Sequence, residues 1–271
     1  MPQSTTRIAI TGAAGRMGRS LVASCETRLD LNLVAALEEA NSPHIGSDPG
    51  LLAGSTAVGF EIESSLESVI DGIDVLIDFT TPAATLANTA ICRAARKRMV
   101  VGTTGLGDGL RHLRAASDDI ALVFAPNMSI GVNICFRLVE LAVQALGDDF
   151  DVEIIEAHHR QKVDAPSGTA MKLGEIVAQI LERDLKREAV YGREGHSGPR
   201  DPKTIGFATV RAGEIVGDHT VLLAGAGERV EITHRAADRS AFSKGALRAA
   251  SWIAERDRGM FDMLDVLGLG R

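Results

Sequence analysis

Aromatic residues and cysteines are scarce in this sequence of 271 residues. Phe, Trp and Tyr together make up 4% of it, and it contains three cysteines. Cys25, Cys92 and Cys135 lie far apart and among apolar residues, so they match neither a disulfide framework nor the close ligand spacing of a metal site. We therefore predict three buried thiols in a reducing compartment and no bound metal.

Long apolar runs are also lacking. Hydrophobic residues make up 45% of the sequence, but no uninterrupted run approaches the roughly 18 residues that a membrane-spanning helix requires. The first residues, MPQSTTRIAITG, lead directly into a strand pattern and do not resemble a signal peptide. These features predict a soluble, cytoplasmic protein that does not bind membranes.

Positive charge is in deficit, with 29 Lys and Arg against 36 Asp and Glu and a formal net charge of -7. A nucleic-acid-binding protein would usually carry a basic stripe and a basic isoelectric point, so the composition excludes a general nucleic-acid binder. Basic residues are nevertheless concentrated at 158–162. A local basic cluster in an acidic protein indicates a small anionic ligand.

The first half of the chain alternates short β-branched runs with helix-patterned stretches. The predicted strands are RIAITG, LNLVAAL, DVLIDFT, MVVGTTG and IALVFAPN, separated by segments such as GRSLVASCET. Nearly continuous apolar strands between amphipathic helices are typical of a parallel sheet covered on both faces. The pattern predicts an α/β fold with a Rossmann-type, doubly wound parallel sheet.

The order of elements changes after about residue 130. A helical stretch, CFRLVELAVQAL, and a strand, DVEIIEAHH, are followed by a predicted helix from about 168 to 187. Three strands without intervening helices then follow, in TIGFATVRAG, HTVLLAGA and RVEITHRA, before a final helical segment. We predict a dinucleotide-binding domain at 1–129 and 240–271, and an α+β substrate-binding and oligomerisation domain at 130–239.

A glycine-rich turn follows the first predicted strand. Gly12, Gly15 and Gly18 give a GxxGxxG spacing, in which glycines permit a tight turn, close approach of the backbone to a pyrophosphate, and close packing of helix on strand. The N-terminus of the helix then binds phosphate. A tight turn without a ligand would also need glycines, but the position between an N-terminal strand and an amphipathic helix favours nucleotide binding.

Two acidic residues, Glu38 and Glu39, end the second predicted strand. An acidic residue at this position typically binds the ribose hydroxyls of NAD, whereas an arginine accommodates the 2'-phosphate of NADP. Two solvated glutamates at the start of a loop are the alternative interpretation. The strand ends DFTTPAAT and VGTTGLG would lie at the carboxyl edge of the sheet, where ligands bind, although ordinary helix capping also explains their Thr and Gly residues.

The stretch EAHHRQKVDAPSGTA, residues 156–170, combines two histidines, a lysine and a potential helix start. Neighbouring side chains on a strand face opposite ways, so His158 and His159 would serve different purposes if the strand continues that far. Pro166, Ser167, Gly168 and Thr169 are typical of a helix N-terminus, whose free amides bind carboxylates. A solvated basic turn with an ordinary N-cap explains single residues but fits the whole cluster poorly, so we predict an anion site.

Together these segments resemble the 4-hydroxy-tetrahydrodipicolinate reductase family, formerly called dihydrodipicolinate reductase, of bacterial lysine and diaminopimelate synthesis. EAHHRQKVDAPSGTA is similar to the family signature. Seven further segments resemble family segments in the family's order: GAAGRMG, IDFT, VGTTG, APNMSIGVN, TIGFATVRAG, VGDHTV and ERVEITHRA. The resemblance spans nearly the whole chain, and it implies a Rossmann domain interrupted by a substrate domain and a homotetramer assembled through the substrate-domain sheet.

The resemblance also implies roles for individual residues. His158 matches the family's proton donor and Lys162 its lysine acid, while His159 and the turn Ser167, Gly168 and Thr169 match groups that hold the substrate carboxylates. The matches to the cofactor-binding residues are Gly12, Ala13, Ala14, Gly15, Arg16, Met17, Glu38, Gly102, Thr103, Thr104, Ala125, Pro126, Asn127 and Met128.

The sequence departs from the family pattern where the cofactor is selected. Many members have an arginine directly after the ribose-binding glutamate, and some have another after DFT; this chain has Glu39 and Thr81 there. Arg16 is still available to a phosphate. We therefore expect NADH to be preferred and NADPH to remain possible.

The reaction implied by the resemblance is NAD(P)H-dependent reduction of (2S,4S)-4-hydroxy-2,3,4,5-tetrahydrodipicolinate, a small dicarboxylate, with loss of water. Two alternatives are weighed against it. Lys162 could form a Schiff base with a carbonyl substrate, but the adjacent carboxylate-binding groups and the dinucleotide turn argue against this. A regulator that binds NADH without turnover would need neither the histidines nor Lys162 beside an anion site.

Overall fold

The structure is a computed structural model that describes residues 5–270. The chain forms two compact units, the first from residues 1–130 and 239–271 and the second from 131–238. Residues 1–4 and 271, which belong to the predicted dinucleotide-binding domain, lie outside the described residues.

A six-stranded parallel sheet forms the centre of the first unit, and its strand order is β11-β5-β4-β3-β1-β2. Its strands are nearly continuous apolar runs, and β3 is buried at every position, because helices cover both faces of such a sheet. The chain order reverses between β1 and β3, and ligands of open α/β folds bind at such a switch point. The strands are β1 (Thr6–Thr11), β2 (Leu31–Leu37), β3 (Val75–Asp78), β4 (Arg98–Val101), β5 (Ala121–Phe124) and β11 (Gly259–Phe261).

Two apolar clusters, one on each face of this sheet, form the core of the first unit. Helix α9 returns the chain to this unit and packs against α1, where the Ser243 hydroxyl lies 2.8 Å from that of Ser24. The helices are α1 (Arg16–Cys25), α2 (Pro49–Leu52), α3 (Leu66–Val69), α4 (Pro82–Ala94), α5 (Leu110–Ser117), α9 (Ser240–Ile253) and α10 (Met263–Val266).

The second unit is a mixed five-stranded sheet in the order β10-β9-β6-β8-β7. Strand β6 pairs antiparallel with β9 and parallel with β8. Alternate residues of β6 and β9 are buried against helices on one face. The elements are α6 (Ile130–Leu146), β6 (Asp151–His158), α7 (Gly168–Ile180), α8 (Leu185–Glu188), β7 (Ala189–Tyr191), β8 (Ile205–Arg211), β9 (Gly217–Ala224) and β10 (Arg229–Ala236).

Helix α6 and the turn that follows it, residues 130–149, are long and apolar enough by length and composition to cross a membrane. The expectation concerned uninterrupted apolar runs, and Asn133, Arg137 and Glu140 interrupt this segment. The same test is passed by core helices, and Val139 and Val143 of α6 are buried in the apolar cluster of the second unit.

The predicted fold class is confirmed, and three local expectations need correction. The helix expected to reach about 187 ends at Ile180, because Glu182 adopts a left-handed backbone with φ of 51°. The three-residue strands β7 and β11 were not predicted. All three cysteines are free, but only Cys92 is fully buried; Cys25, at the end of α1, and Cys135, within α6, are partly exposed.

Candidate active site

The glycine turn of the first unit lies at the carboxyl end of β1. Gly12 has φ of 69°, a conformation that other residues rarely adopt. A Cβ on Gly18 would lie 2.1 Å from the Gly12 carbonyl oxygen, so helix α1 contacts the turn backbone to backbone. The N-cap residue of α1 is Gly15, so no side chain covers the first amides of the helix from the cap position. The amides of Ala13, Ala14 and Gly15 are bonded within the chain, so a pyrophosphate would meet the first amides of α1, which have no partner inside the helix.

Glu38 is tied to this turn, whereas Glu39 is exposed. One carboxylate oxygen of Glu38 accepts a hydrogen bond from the Ala14 amide at 2.9 Å, and the other accepts from the Glu39 amide at 3.1 Å. Arg16 is exposed at the start of α1. The candidate ribose-binding residue Glu38 is thus hydrogen-bonded directly to the glycine turn of the first unit.

A buried aspartate joins the segments that follow β3 and β4. The Asp78 side chain has no exposed surface. Its Oδ1 accepts hydrogen bonds from the hydroxyls of Thr80 at 2.6 Å, Thr85 at 3.1 Å and Thr103 at 3.3 Å. Sequence reasoning missed Asp78, although an acidic residue inside the apolar strand IDFT was a visible signal. The cluster fixes Thr103, which was predicted to line the nicotinamide side.

The other residues predicted on that side differ in exposure. Ala125 and Met128 are buried, Pro126 is exposed, and the Asn127 side chain accepts a hydrogen bond from the Ser129 amide at 2.9 Å. Gly102 is buried under the Phe79 ring, which would lie 2.0 Å from a Cβ at this position, and Thr104 is exposed. All of these residues follow strands β4 and β5 at the carboxyl edge of the first sheet.

In the second unit, His158 is the last residue of β6 and is 8% exposed. Its Nδ1 lies 2.6 Å from Oε2 of Glu156, which is 1% exposed on the same face of the strand. The strand ends at His158, so the alternation of faces does not extend to His159, which begins the following turn and is half-buried. The two histidines nevertheless differ: His158 is buried and bonded to Glu156, whereas His159 is half-buried in the turn.

Lys162 lies in the loop after β6, and its Nζ is 2.8 Å from Oδ1 of Asp164. The hydrogen bond from Lys162 lowers the pKa of the exposed Asp164 carboxyl below its ordinary value. Lys162 also acts on His158, where its charge is one of the influences that lower the pKa of the imidazole. The Lys162 amide also donates a hydrogen bond to the His159 carbonyl at 3.1 Å, so the loop holds the lysine beside the end of β6.

Helix α7 begins beside these residues with Ser167 as its N-cap. The Ser167 hydroxyl accepts a hydrogen bond from the Ala170 amide at 3.2 Å and lies 3.0 Å from Nε2 of His219. Gly168 is exposed and Thr169 is half-buried in the first helical turn. A helix N-terminus favours negative charge, so a carboxylate can bind here with Lys162 nearby.

Sequence reasoning missed three residues of this site: Glu156, Arg211 and His219. Arg211 and His219 pair with β6 from β8 and β9, in register with His158 and Glu156 respectively. This long-range register could not be read from the sequence. The signal for Glu156 was available, since residues two apart on a strand share a face.

Burial controls the protonation of both buried histidines. Burial lowers the pKa of His158, and the Glu156 carboxylate offsets part of this effect. Burial and the neighbouring His158 lower the pKa of His219 to about 4, so His219 is neutral near pH 7. Among residues 5–270, no group of three or more His, Cys, Asp and Glu side chains could hold a metal ion.

The chemistry of the second unit suits binding of a carboxylate and transfer of a proton, and the glycine turn of the first unit suits a dinucleotide. Comparisons with known proteins identify the family of the chain. Residues 6–128 match the family model described as dihydrodipicolinate reductase, N-terminus, and residues 131–267 match the model described as dihydrodipicolinate reductase, C-terminus.

Several relatives carry the name 4-hydroxy-tetrahydrodipicolinate reductase. The relative from Alkalilimnicola ehrlichii is 58% identical over 98% of this chain and 100% of its own length. A relative from Pseudomonas fluorescens is 55% identical over 97% of this chain and 99% of its own.

A solved structure of similar fold is the dipicolinate-bound dihydrodipicolinate reductase from Paenisporosarcina sp. TG-14. Its TM-score is 0.76 at 27% identity, covering 96% of this chain and 98% of that one. A probable dehydrogenase from Thermotoga maritima, with a TM-score of 0.60 at 12% identity over 97% of this chain and 93% of its own, shares the fold.

Proposed function

This chain belongs to the dihydrodipicolinate reductase family and reduces 4-hydroxy-tetrahydrodipicolinate with NAD(P)H, and we propose that His158 and Lys162 carry out its proton chemistry. Substrate, reduced cofactor and one proton give tetrahydrodipicolinate, oxidised cofactor and water. The product lies on the route to lysine through diaminopimelate.

One observation carries the assignment of roles: His158, Lys162 and the N-terminus of α7 belong to one site in the second unit. Lys162 and the turn Ser167, Gly168 and Thr169 bind the substrate carboxylates, together with His159. His158 gives a proton to the ring carbon that becomes negative during the reduction. A positioned acid of this kind contributes roughly 10² to 10⁴-fold to a rate.

The first unit holds the cofactor in this proposal. The glycine turn fits a pyrophosphate. Gly12 and Gly18 have no side chains, so the turn and helix α1 are in close contact and the start of the helix is open to a phosphate. Residues 12–17 bind the phosphates, Glu38 the ribose hydroxyls, and the segments 102–104 and 125–128 the nicotinamide side. When bound, the cofactor supplies the hydride.

We further propose that NADH is the preferred cofactor and that NADPH is used less efficiently. The exposed Glu39 is next to the ribose-binding residue, and its negative charge disfavours the 2'-phosphate of NADPH. Thr81 caps helix α4 by accepting a hydrogen bond from the Ala84 amide and offers no positive charge. Arg16, exposed at the start of α1, is still available to contact a phosphate.

We propose a homotetramer that assembles through the sheet of the second unit. Ile155 and Val210 lie on the face of this sheet opposite to the buried residues of β6, and they are 39% and 45% exposed. Burial of such side chains on association is favourable. Native mass spectrometry of the wild type and of Ile155→Lys tests this, and a tetramer that persists in the variant argues against the proposed face.

We also propose a cytoplasmic location, because free thiols are typical of reducing compartments and all three cysteines are unpaired in the described chain. Cell fractionation with an antibody against the chain tests the location, and recovery in the periplasm or in the medium would contradict it.

The test of the function is the decay of absorbance of NADH and, separately, of NADPH. The substrate is generated in situ from pyruvate and aspartate semialdehyde by the preceding synthase. We expect oxidation that depends on the synthase, with a higher kcat/KM for NADH. Nucleotide binding without oxidation of either cofactor would instead favour a regulator that binds NADH without turnover.

A further inference from the structure

We propose that Glu156 is a positioning residue of this reaction, whose single buried carboxylate fixes both the proton donor His158 and the substrate-binding turn at Ser167. The inference rests on the proposed function, in which His158 gives the proton. It adds a residue that touches neither substrate nor cofactor and acts through two groups that bind or protonate the substrate.

The contacts of Glu156 show how one side chain reaches both groups. Oε2 lies 2.6 Å from Nδ1 of His158, and Oε1 accepts a hydrogen bond from the Ser167 amide at 3.0 Å. Arg211 donates to both oxygens, at 2.8 Å each. With 1% of its surface exposed, Glu156 has these protein groups instead of water as its partners.

The charge of Glu156 fixes the tautomer of His158. Burial alone would raise the pKa of Glu156, but the hydrogen bonds from Arg211, His158 and Ser167 outweigh it and leave the pKa below its ordinary value. An ionised carboxylate can only accept hydrogen bonds, so Nδ1 of His158 carries the hydrogen of that bond. The proton that His158 exchanges with the substrate is therefore the one on Nε2.

The backbone of β9 accommodates the Nε2 edge of the ring. A Cβ on Gly217 would lie 3.0 Å from Nε2 of His158, a tight approach, so the glycine leaves room beside this nitrogen. The ring of His219 contacts His158 edge to face, with centroids 5.1 Å apart. Glu156 on one side and β9 on the other thus hold the imidazole in one orientation.

The same carboxylate organises the start of α7. Glu156 accepts a hydrogen bond from the Ser167 amide. The Ser167 hydroxyl contacts His219 and accepts a hydrogen bond from the Ala170 amide. The N-cap therefore cannot shift without breaking a bond to the residue that also holds His158. This coupling sets the distance between the group that binds the carboxylate and the group that gives the proton.

Four ionisable groups surround His158, one from each neighbouring segment. Glu156 from its own strand favours the protonated imidazole, whereas Arg211 from β8 and Lys162 from the following loop disfavour it. His219 from β9 is neutral near pH 7, because its pKa is about 4. Removing Glu156 or Arg211 should therefore move the titration of His158 in opposite directions.

The experiment compares Glu156→Gln, Arg211→Gln and the wild type by kcat/KM against pH and by nitrogen NMR of the imidazole rings. Activity falls as pH rises through the pKa of His158. We expect this fall at lower pH in Glu156→Gln and at higher pH in Arg211→Gln. We also expect a roughly 10 to 100-fold lower kcat in Glu156→Gln, and a mixture of the two imidazole tautomers.

Glu153→Gln is the matched control. Glu153 lies on the same strand but on the other face, and it is paired with Arg193 and Arg200 as Glu156 is with Arg211. The Glu153 side chain is 22% exposed against 1% for Glu156, so this variant controls for the loss of a charge and of an arginine pair on the same strand. Equal behaviour of the two variants, or shifts of the His158 pKa in the same direction in Glu156→Gln and Arg211→Gln, would overturn the inference.

Two further measurements keep the outcome interpretable. Glu156→Asp retains the charge with a shorter side chain, and it replaces Glu156→Gln if that variant does not fold. A lower kcat in Glu156→Asp, with the pKa of His158 kept near its wild-type value, supports a positioning role. The NMR titration requires no turnover. An unchanged kcat in His158→Gln would remove His158 from the proposed function, whereas an unchanged His158 titration in Glu156→Gln would remove Glu156 alone.

Discussion

The imidazole of His158 is the side chain with the strongest assignment to the chemistry, since it is buried and its Nδ1 is held by a carboxylate. We expect His158→Gln to fold normally and to lower kcat roughly 10² to 10⁴-fold, because the amide cannot donate an acidic proton. Steady-state kinetics at a series of pH values measures this. His112→Gln, an exposed histidine of the first unit, is the control and should match the wild type.

Lys162 serves binding and turnover together in our proposal, since its ammonium neutralises a substrate carboxylate. Lys162→Ala should therefore raise KM and lower kcat, and Lys162→Arg should recover part of the KM effect because the charge is retained. Lys172→Ala, an exposed lysine of α7 paired with Glu175, controls for loss of charge. An unchanged kcat/KM in Lys162→Ala would remove the lysine from the site.

Glu39 is the side chain through which the cofactor preference can be altered. Replacing it in Glu39→Arg exchanges repulsion of a 2'-phosphate for attraction, so kcat/KM for NADPH relative to NADH should rise about tenfold, or about 1.4 kcal/mol. Glu255→Arg changes the net charge equally at another exposed position of the first unit. A similar rise in that control would attribute the effect to net charge instead of local contact.

At the scale of single elements, the glycine turn and helix α1 are joined by backbone contact. Gly18→Ala would place a methyl group 2.1 Å from the Gly12 oxygen and 2.6 Å from the Ala13 Cα, so helix and turn must separate. We expect a loss of about 1–3 kcal/mol in the free energy of unfolding and weaker NADH binding by fluorescence titration. Gly72→Ala, with open space around it, should change neither.

Elements with a strong apolar pattern were predictable from sequence. The five main strands of the first unit appear where the β-branched runs predicted them, and so do β6, β8, β9 and β10. Shorter elements were not, because β7 and β11 have three residues each and form through pairing with β8 and β5 rather than through their own composition.

The site was predictable only within continuous motifs. His158, Lys162 and Ser167 lie in one stretch of sequence, and helix capping at Ser167 has a recognisable pattern. Arg211 and His219 reach the site because strands 50 or more residues away pair with β6. Their contribution depends on strand register, which requires the folded sheet.

For the whole molecule, buried His219 makes stability depend on pH. Its pKa is about 4 in the folded state against 6.5 ordinarily, so between these values the unfolded chain binds a proton that the folded chain does not. Stability should therefore fall as pH is lowered from about 6.5 to about 4, by up to roughly 3 kcal/mol from this group.

Urea unfolding of the wild type and His219→Gln over this pH range tests the effect. The variant should lose part of the slope, whereas His112→Gln should keep it. Carboxylates such as Glu156, whose pKa is lowered by its partners, add a further loss at lower pH as they are protonated. Parallel curves for wild type and His219→Gln would show that His219 does not carry the dependence.

The return of the chain to the first unit has a consequence for synthesis on the ribosome. Helix α9 supplies Ala246, Leu247, Ala250 and Ile253 to the apolar cluster on one face of the first sheet. Strand β11 pairs with β5 at the edge of that sheet. Residues 131–238 thus emerge as a continuous segment before the first unit has its full core. We expect the second unit, residues 131–238, to become resistant to protease on stalled nascent chains before the first unit does.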